Sequence, residues 1–390
     1  MNLSPTLSLL SACVVLGLSA CSSNQVPPAP LAPFKPSTSV VRQWAVTDAA
    51  LAAPSVVKAV SGTALLVPHS KDIAAYQADS GKLLWRTPLP NVEASVGVSA
   101  DGKTVLALVQ GVEAVALNAE TGAVLWRNSL PAEMRVQPGF VGGVFVVLTA
   151  DGRMVGLEES TGRRRWALAR TLPALTVRGT GAVAAMSNTL AAVGLPGGKA
   201  VGVNVNNGQV VWETSLALTR GVNEVERIAD VLPQWVSVPG LGLCATTYRQ
   251  RVACVDDKGN ISKTIDMSAL SGLVVSGSQW FVLDDNGSVG AWTPKAGVAN
   301  AAADKPDWAF DGFKGRMGSS TAPVAAFGGV VFAHDNTGLL HVLAAQNGQT
   351  IARSTTGAAA DAQLLPVLVN GKALLIISAS NGLSAWLPAQ

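Results

Sequence analysis

Charge, aromatics and histidine are all scarce in this chain. Charged residues make up 14% of its 390 residues, aromatic residues 5%, and the three histidines are His69, His334 and His341. The net charge is only +3, and no basic run is interleaved with aromatics, so nucleic acid is not an expected partner. His334 and His341 flank one expected hairpin turn, but two ligands without a nearby third make a poor metal site. No Gly-x-Ser-x-Gly elbow, phosphate loop or His-x-x-x-His pair occurs, which removes the common signatures of hydrolases and nucleotide enzymes. The glycine-rich Leu195-Pro196-Gly197-Gly198-Lys199 reads as a hairpin turn and does not precede a helix, so it is not a phosphate cradle. Beyond the first twenty residues no run is apolar for long enough to span a membrane.

What the chain does have is a repeat. Five tryptophans, Trp44, Trp85, Trp126, Trp166 and Trp212, recur at steps of 41, 41, 40 and 46 residues. Four of them close the same phrase, as in Leu117-Asn118-Ala119-Glu120-Thr121-Gly122-Ala123-Val124-Leu125-Trp126. A period near forty built from short strands is the signature of a propeller blade. Apolar runs such as Val144-Phe145-Val146-Val147-Leu148 alternate with turns at Asp101-Gly102, Asp151-Gly152, Asn286-Gly287, Asp335 to Gly338 and Asn381-Gly382. A second turn precedes each final strand, at Gly81, Gly122, Gly162, Gly208, Gly259, Gly297 and Gly348. That gives seven blades. The strands around Leu374 to Ile377 and Leu383 to Trp386 lack a closing strand, which Arg42-Gln43-Trp44 can supply. The expected fold is therefore all-β: an eight-bladed β-propeller with four antiparallel strands per blade, its last blade closed by the N-terminal strand. Seven blades is the alternative. The repeat-phased tryptophans read as packing pieces between sheets, and the alanine-rich stretch 293–307 as a loop.

The N-terminus reads as an address. Residues 7–20 form an apolar stretch of signal-peptide length, and Leu18-Ser19-Ala20-Cys21 resembles a bacterial lipobox, although no Lys or Arg precedes Lys35. On this reading residues 1–20 are a lipoprotein signal peptide and Cys21 carries the acyl chains, palmitate among them. An ordinary cleaved signal is the alternative. Ser22 after the cysteine favours the periplasmic face of the outer membrane, by resemblance to sorted lipoproteins. Residues 21–39, dense in proline, are the tether, and 40–390 the propeller.

With Cys13 in the signal and Cys21 lipidated, Cys244 and Cys254 remain. A hairpin centred on Arg249 sets them face to face, and an exported chain lives where such a pair oxidises, so a disulfide is expected. Two buried free thiols are the alternative.

The phrase Ala-x-Asp/Asn-x-x-Thr/Ser-Gly-x-x-x-Trp resembles the repeat of pyrroloquinoline-quinone-type propellers. These include the quinoprotein dehydrogenases and the BamB family, lipoproteins of the outer-membrane β-barrel assembly machinery. Similarity to the BamB family runs from lipobox and tether through eight repeats. It includes Leu172-Pro173-Ala174-Leu175-Thr176-Val177-Arg178-Gly179, the stretch Glu224 to Pro233, and the blade opening Gly318 to Val324. The resemblance implies a non-enzymatic scaffold without cofactor, monomeric within the assembly complex. It implies binding to the periplasmic domains of BamA, and to unfolded outer-membrane proteins as further candidates. Carried over by position, Leu175, Val177, Arg178 and Asp230 are the contacts. Leu175 and Val177 could instead be strand-edge core, and Asp230 could instead orient Arg178. Glu226 and Arg227 read as a solvated loop pair. The family's second aspartate falls at Leu232, so part of the acidic site is lost.

Two alternatives stay open. A periplasmic quinoprotein dehydrogenase would need a quinone pocket, a calcium site and an Asp base. Many such enzymes carry adjacent cysteines, which this chain lacks. A lipid-anchored propeller with another envelope partner is the second.

Overall fold

A computed structural model of the chain describes residues 28, 30–47, 58–60, 64–134, 137–173, 175–176, 181, 183–218, 228–294, 305–317 and 322–388. Residues 1–20, read above as a signal peptide, together with Cys21, Val177, Arg178, Glu226, Arg227, Gly297 and residues 318–321, lie outside the described residues.

Among the described residues the strands form eight four-stranded antiparallel sheets. In chain order the blades span 58–88, 92–129, 139–169, 183–215, 231–266, 274–310 and 324–355. Blade 8 joins 363–388 to the N-terminal strand Val40–Val46, which pairs with Gly382–Pro388. The expectation of eight blades and mixed closure holds. Tying the first strand to the last leaves the ring without an open end.

Sequence pattern follows position in the blade. The middle strands are covered on both faces by neighbouring blades and carry buried apolar runs, as in Val144–Leu148, every residue of it buried, while third strands such as Arg153–Glu158 keep their charged residues at the two ends. The outermost strand touches a neighbour on one side only. In Arg164–Ala169 the only buried residue is Trp166.

That tryptophan is the joint between blades. Trp44, Trp85, Trp126 and Trp166 donate Nε1–H to the carbonyls of Ala78, Ala119, Glu159 and Val205, each in the next blade, at 3.1, 2.9, 2.6 and 2.6 Å. The acceptor belongs to the turn that the repeat phrase encodes. In blade 2, Asn118 Oδ1 accepts from the N–H groups of Glu120 and Thr121, and Gly122 N–H donates to Asn118 O. Gly122 takes φ +72°, open to glycine at little cost. The phrase therefore encodes a receptor for the preceding blade's indole.

The later blades vary the joint. Trp308 closes blade 6 and donates to Ala345 O at 2.8 Å. It falls after the alanine-rich stretch, most of which, 295–304, lies outside the described residues. In blade 5 the tryptophan's register position, opposite Cys254, holds Lys263, and in blade 7, opposite Val342, it holds Ala352. Lys263 is 1% exposed, so its long stem fills the space an indole takes elsewhere.

Candidate docking face

Antiparallel strands fix which loops share a face. The turn between the second and third strands and the connection to the next blade lie at the same end of every blade. The segments singled out by sequence, 172–179 and 224–233, fall on the two such connections that flank blade 4, the second segment running on into the strand Val231–Val238. The glycine turn at Gly197-Gly198 lies between them, joining Leu190–Gly194 to Lys199–Asn204.

Leu175 is 47% exposed, which rules against a core role for it in this chain. Leu218, on the connection out of blade 4, is 42% exposed. Large apolar side chains left in solvent on one loop cluster are what a docking surface offers.

The ground beneath them is fixed. Arg170 N–H donates to Gly152 O at 2.8 Å, and its guanidinium pairs with the Glu213 carboxylate of blade 4. Lys199 Nζ reaches the other oxygen of Glu213 at 3.0 Å. Hydrogen bonds from Arg170 first and Lys199 second hold the Glu213 carboxyl below its usual range. A β-carbon at Gly197 would stand 2.9 Å from Pro173 Cγ, so connection and turn touch closely.

Asp230 is fully buried. Its Oδ1 accepts Gly197 N–H at 3.1 Å, and its carbonyl accepts Tyr248 N–H at 2.8 Å. This geometry makes Asp230 an internal anchor joining the blade 4 turn to blade 5, a role the sequence did not raise beside partner contact and the orienting of Arg178, which lies outside the described residues. Leu232 is 1% exposed and points into the core, so its position offers nothing to the surface. Arg170, Glu213, Lys199 and Leu218 were not singled out from sequence. The Arg170–Glu213 pair spans 43 residues and depends on blade register, which leaves no local signal.

The cysteines stand directly opposite each other, with Cα atoms 3.9 Å apart and sulfurs 2.03 Å apart, both fully buried. Thr247 pairs with Arg251, which centres the turn on Arg249 at φ +53°.

His334 and His341 do flank a hairpin turn, but each has its own partner. His341 Nε2 lies 3.1 Å from Asp335 Oδ2, and His334 Nε2 lies 3.0 Å from Thr356 Oγ1. Arg316 reaches the same Asp335 oxygen at 3.5 Å. Among the described residues no group of three or more His, Cys, Asp or Glu side chains is placed to hold a metal ion.

Residues 69–300 match the family described as outer membrane protein assembly factor BamB. The chain is 28% identical to the protein of that name from Burkholderia pseudomallei, over 97% of this chain and 96% of the relative. It is also 28% identical to that of Bordetella pertussis, over 89% and 88%. The crystal structure of BamB from Moraxella catarrhalis superposes with a TM-score of 0.75 at 20% identity, covering 89% of this chain and 99% of that one. A quinohemoprotein alcohol dehydrogenase from Pseudomonas putida superposes at 0.58 with 12% identity, a likeness of fold alone.

Proposed function

The chain belongs to the BamB family of outer membrane protein assembly factors, and we propose that it serves the outer-membrane assembly complex as a scaffold, by binding rather than by chemistry. The observation that carries the site is the exposed Leu175, raised on a connection whose base is held by Arg170, Glu213 and Asp230. A rigid base lowers the entropy lost when an apolar anchor docks.

BamA, through its periplasmic domains, is the partner this reading names. Leu175 and Val177 supply desolvated contact. Arg178 supplies a guanidinium that can fork onto a carboxylate or a backbone carbonyl. Asp230 contributes from beneath, by holding the turn at Gly197. The protein is a monomer within the complex, tethered by acylated Cys21 to the periplasmic face of the outer membrane. Unfolded outer-membrane chains are its further clients.

Calorimetric titration of the purified protein with the periplasmic domains of BamA tests the reading. Saturable one-to-one binding, weakened about tenfold or more by Leu175→Asp, supports it. Heat identical to dilution with the unaltered protein overturns it.

A further inference from the structure

We propose that residues 31–38 form a clamp along the outer edge of blade 7 and so set how the propeller hangs from the lipid surface. This rests on Cys21 being the lipidated residue.

The strand Thr350–Thr355 is the outermost of its blade and pairs on one side only, with Leu339–Ala344. Its free edge is a row of open hydrogen-bonding groups. The proline-rich segment covers part of it. Ser37 and Thr38 donate their N–H groups to Ile351 O at 3.0 and 3.4 Å. Arg353 Nη1 donates to Ala32 O at 3.0 Å, and its guanidinium carbon stands 4.7 Å from the centre of the Phe34 ring. Leu31, Phe34 and Thr38 are half-buried, while the residues between them are exposed. One side of the segment therefore faces the blade. Pro33 and Pro36 restrict the unbound chain, so little freedom is lost on docking.

The clamp has a direction. Thr38 lies at Ile351 and Ala32 lies at Arg353, so the chain traced back towards Cys21 runs towards Thr355. That end of the blade carries the connections between blades. Eleven residue steps separate Ala32 from Cys21 and reach at most about 40 Å when fully extended. The outer edge of blade 7 is thus held within that distance of the acyl chains. Blade 3, four blades away in a ring of eight, lies diametrically opposite. The connection bearing Leu175 leaves blade 3, so the docking loops lie at the same end of the ring as the departing tether, on the rim diametrically opposite it. Without the clamp the tether would be held only from Val40 of blade 8, nineteen residue steps and at most about 70 Å from Cys21, so the propeller would swivel more widely.

The test uses the lipidated full chain in vesicles of phosphatidylethanolamine and phosphatidylglycerol doped with a headgroup quencher. Fluorophores go on Thr355→Cys or Ala169→Cys, equivalent exposed positions on the outer strands of blades 7 and 3. Quenching is expected to be several-fold stronger at 355 than at 169. Phe34→Ala, alone or with Arg353→Gln, should bring the two towards equality and abolish exchange protection of the Ser37 amide. Phe34 lies outside the blades, so the single variant keeps the propeller intact. Equal quenching in the unaltered chain, or a ratio that the variants leave unchanged, overturns the clamp. A chain that fails to co-float with the vesicles overturns the lipid anchor and the orientation together, whereas co-flotation with equal quenching overturns the clamp alone.

Discussion

Trp85 of blade 1 lies across Gly122 of blade 2, so close that a β-carbon on the glycine would stand 2.5 Å from Cε3 of the indole. The same glycine accepts a hydrogen bond from Thr87 Oγ1 at 2.6 Å, and Trp85 Nε1 donates to Ala119 O. Gly122→Ala must therefore both strain a backbone at φ +72° and displace an indole. We expect a loss of about 2–4 kcal/mol, seen as a lower urea midpoint. Gly143→Ala is the control: its φ is +79° but nothing lies within 4 Å, so about 1–2 kcal/mol is expected from strain alone. Equal losses at both positions would contradict the role given to the indole.

The ring could be read from the sequence because the joints from Trp44, Trp85, Trp126 and Trp166 are each encoded twice, once as Trp and once as the turn that receives it. Trp85 to Ala119 and Trp126 to Glu159 are 34 and 33 residues apart, which phases the blades directly. Trp308 escaped notice because stretch 293–307 breaks the Trp-to-Trp period. Its spacing to its own receptor, 37 residues to Ala345, nevertheless stays near the others. The docking face was legible only in part. Leu175 stands on a local motif, whereas the Arg170–Glu213–Lys199 network exists only once blades 3 and 4 are in register. Asp230 carried a family signal, but its burial under the Gly197 turn is a tertiary fact.

Acid should destabilise the fold in two stages. Burial pulls His334 from 6.5 down to about 4, with nearby His341 adding to the fall and Asp335 and Asp361 opposing it. The unfolded chain binds this proton before the folded chain does. The stability is therefore complete above about pH 6.5 and is lost as pH falls towards 4, by about 3 kcal/mol. Burial would raise the Asp335 carboxyl, but hydrogen bonds from His341, Thr337 and Leu339 hold it well below 3.8. Its contribution is present above 3.8 and is lost on further acidification. Urea midpoints between pH 7 and pH 3 should show the first loss in the unaltered chain. It should be largely absent in His334→Gln.

If Cys244 and Cys254 form a disulfide, the intact mass measured without reductant falls short of the reduced mass by two hydrogens. The bridge spans a sequence separation of 10, so its removal by Cys244→Ala with Cys254→Ala should cost about 2–3 kcal/mol. Unchanged mass on reduction would mean two buried thiols.

Asp230→Ala removes the acceptor of a half-buried N–H at Gly197. A loss of about 1–3 kcal/mol in stability is expected, with weaker partner binding through a loosened turn. Exchange of the Gly197 amide, protected before and fast after, separates this from a direct contact.

The most direct test of the scaffold reading is affinity capture of the lipidated protein from solubilised native envelopes, beside its Arg178→Glu form. The account predicts that BamA is recovered with the first and lost with the second. Failure to recover BamA with either form would contradict it.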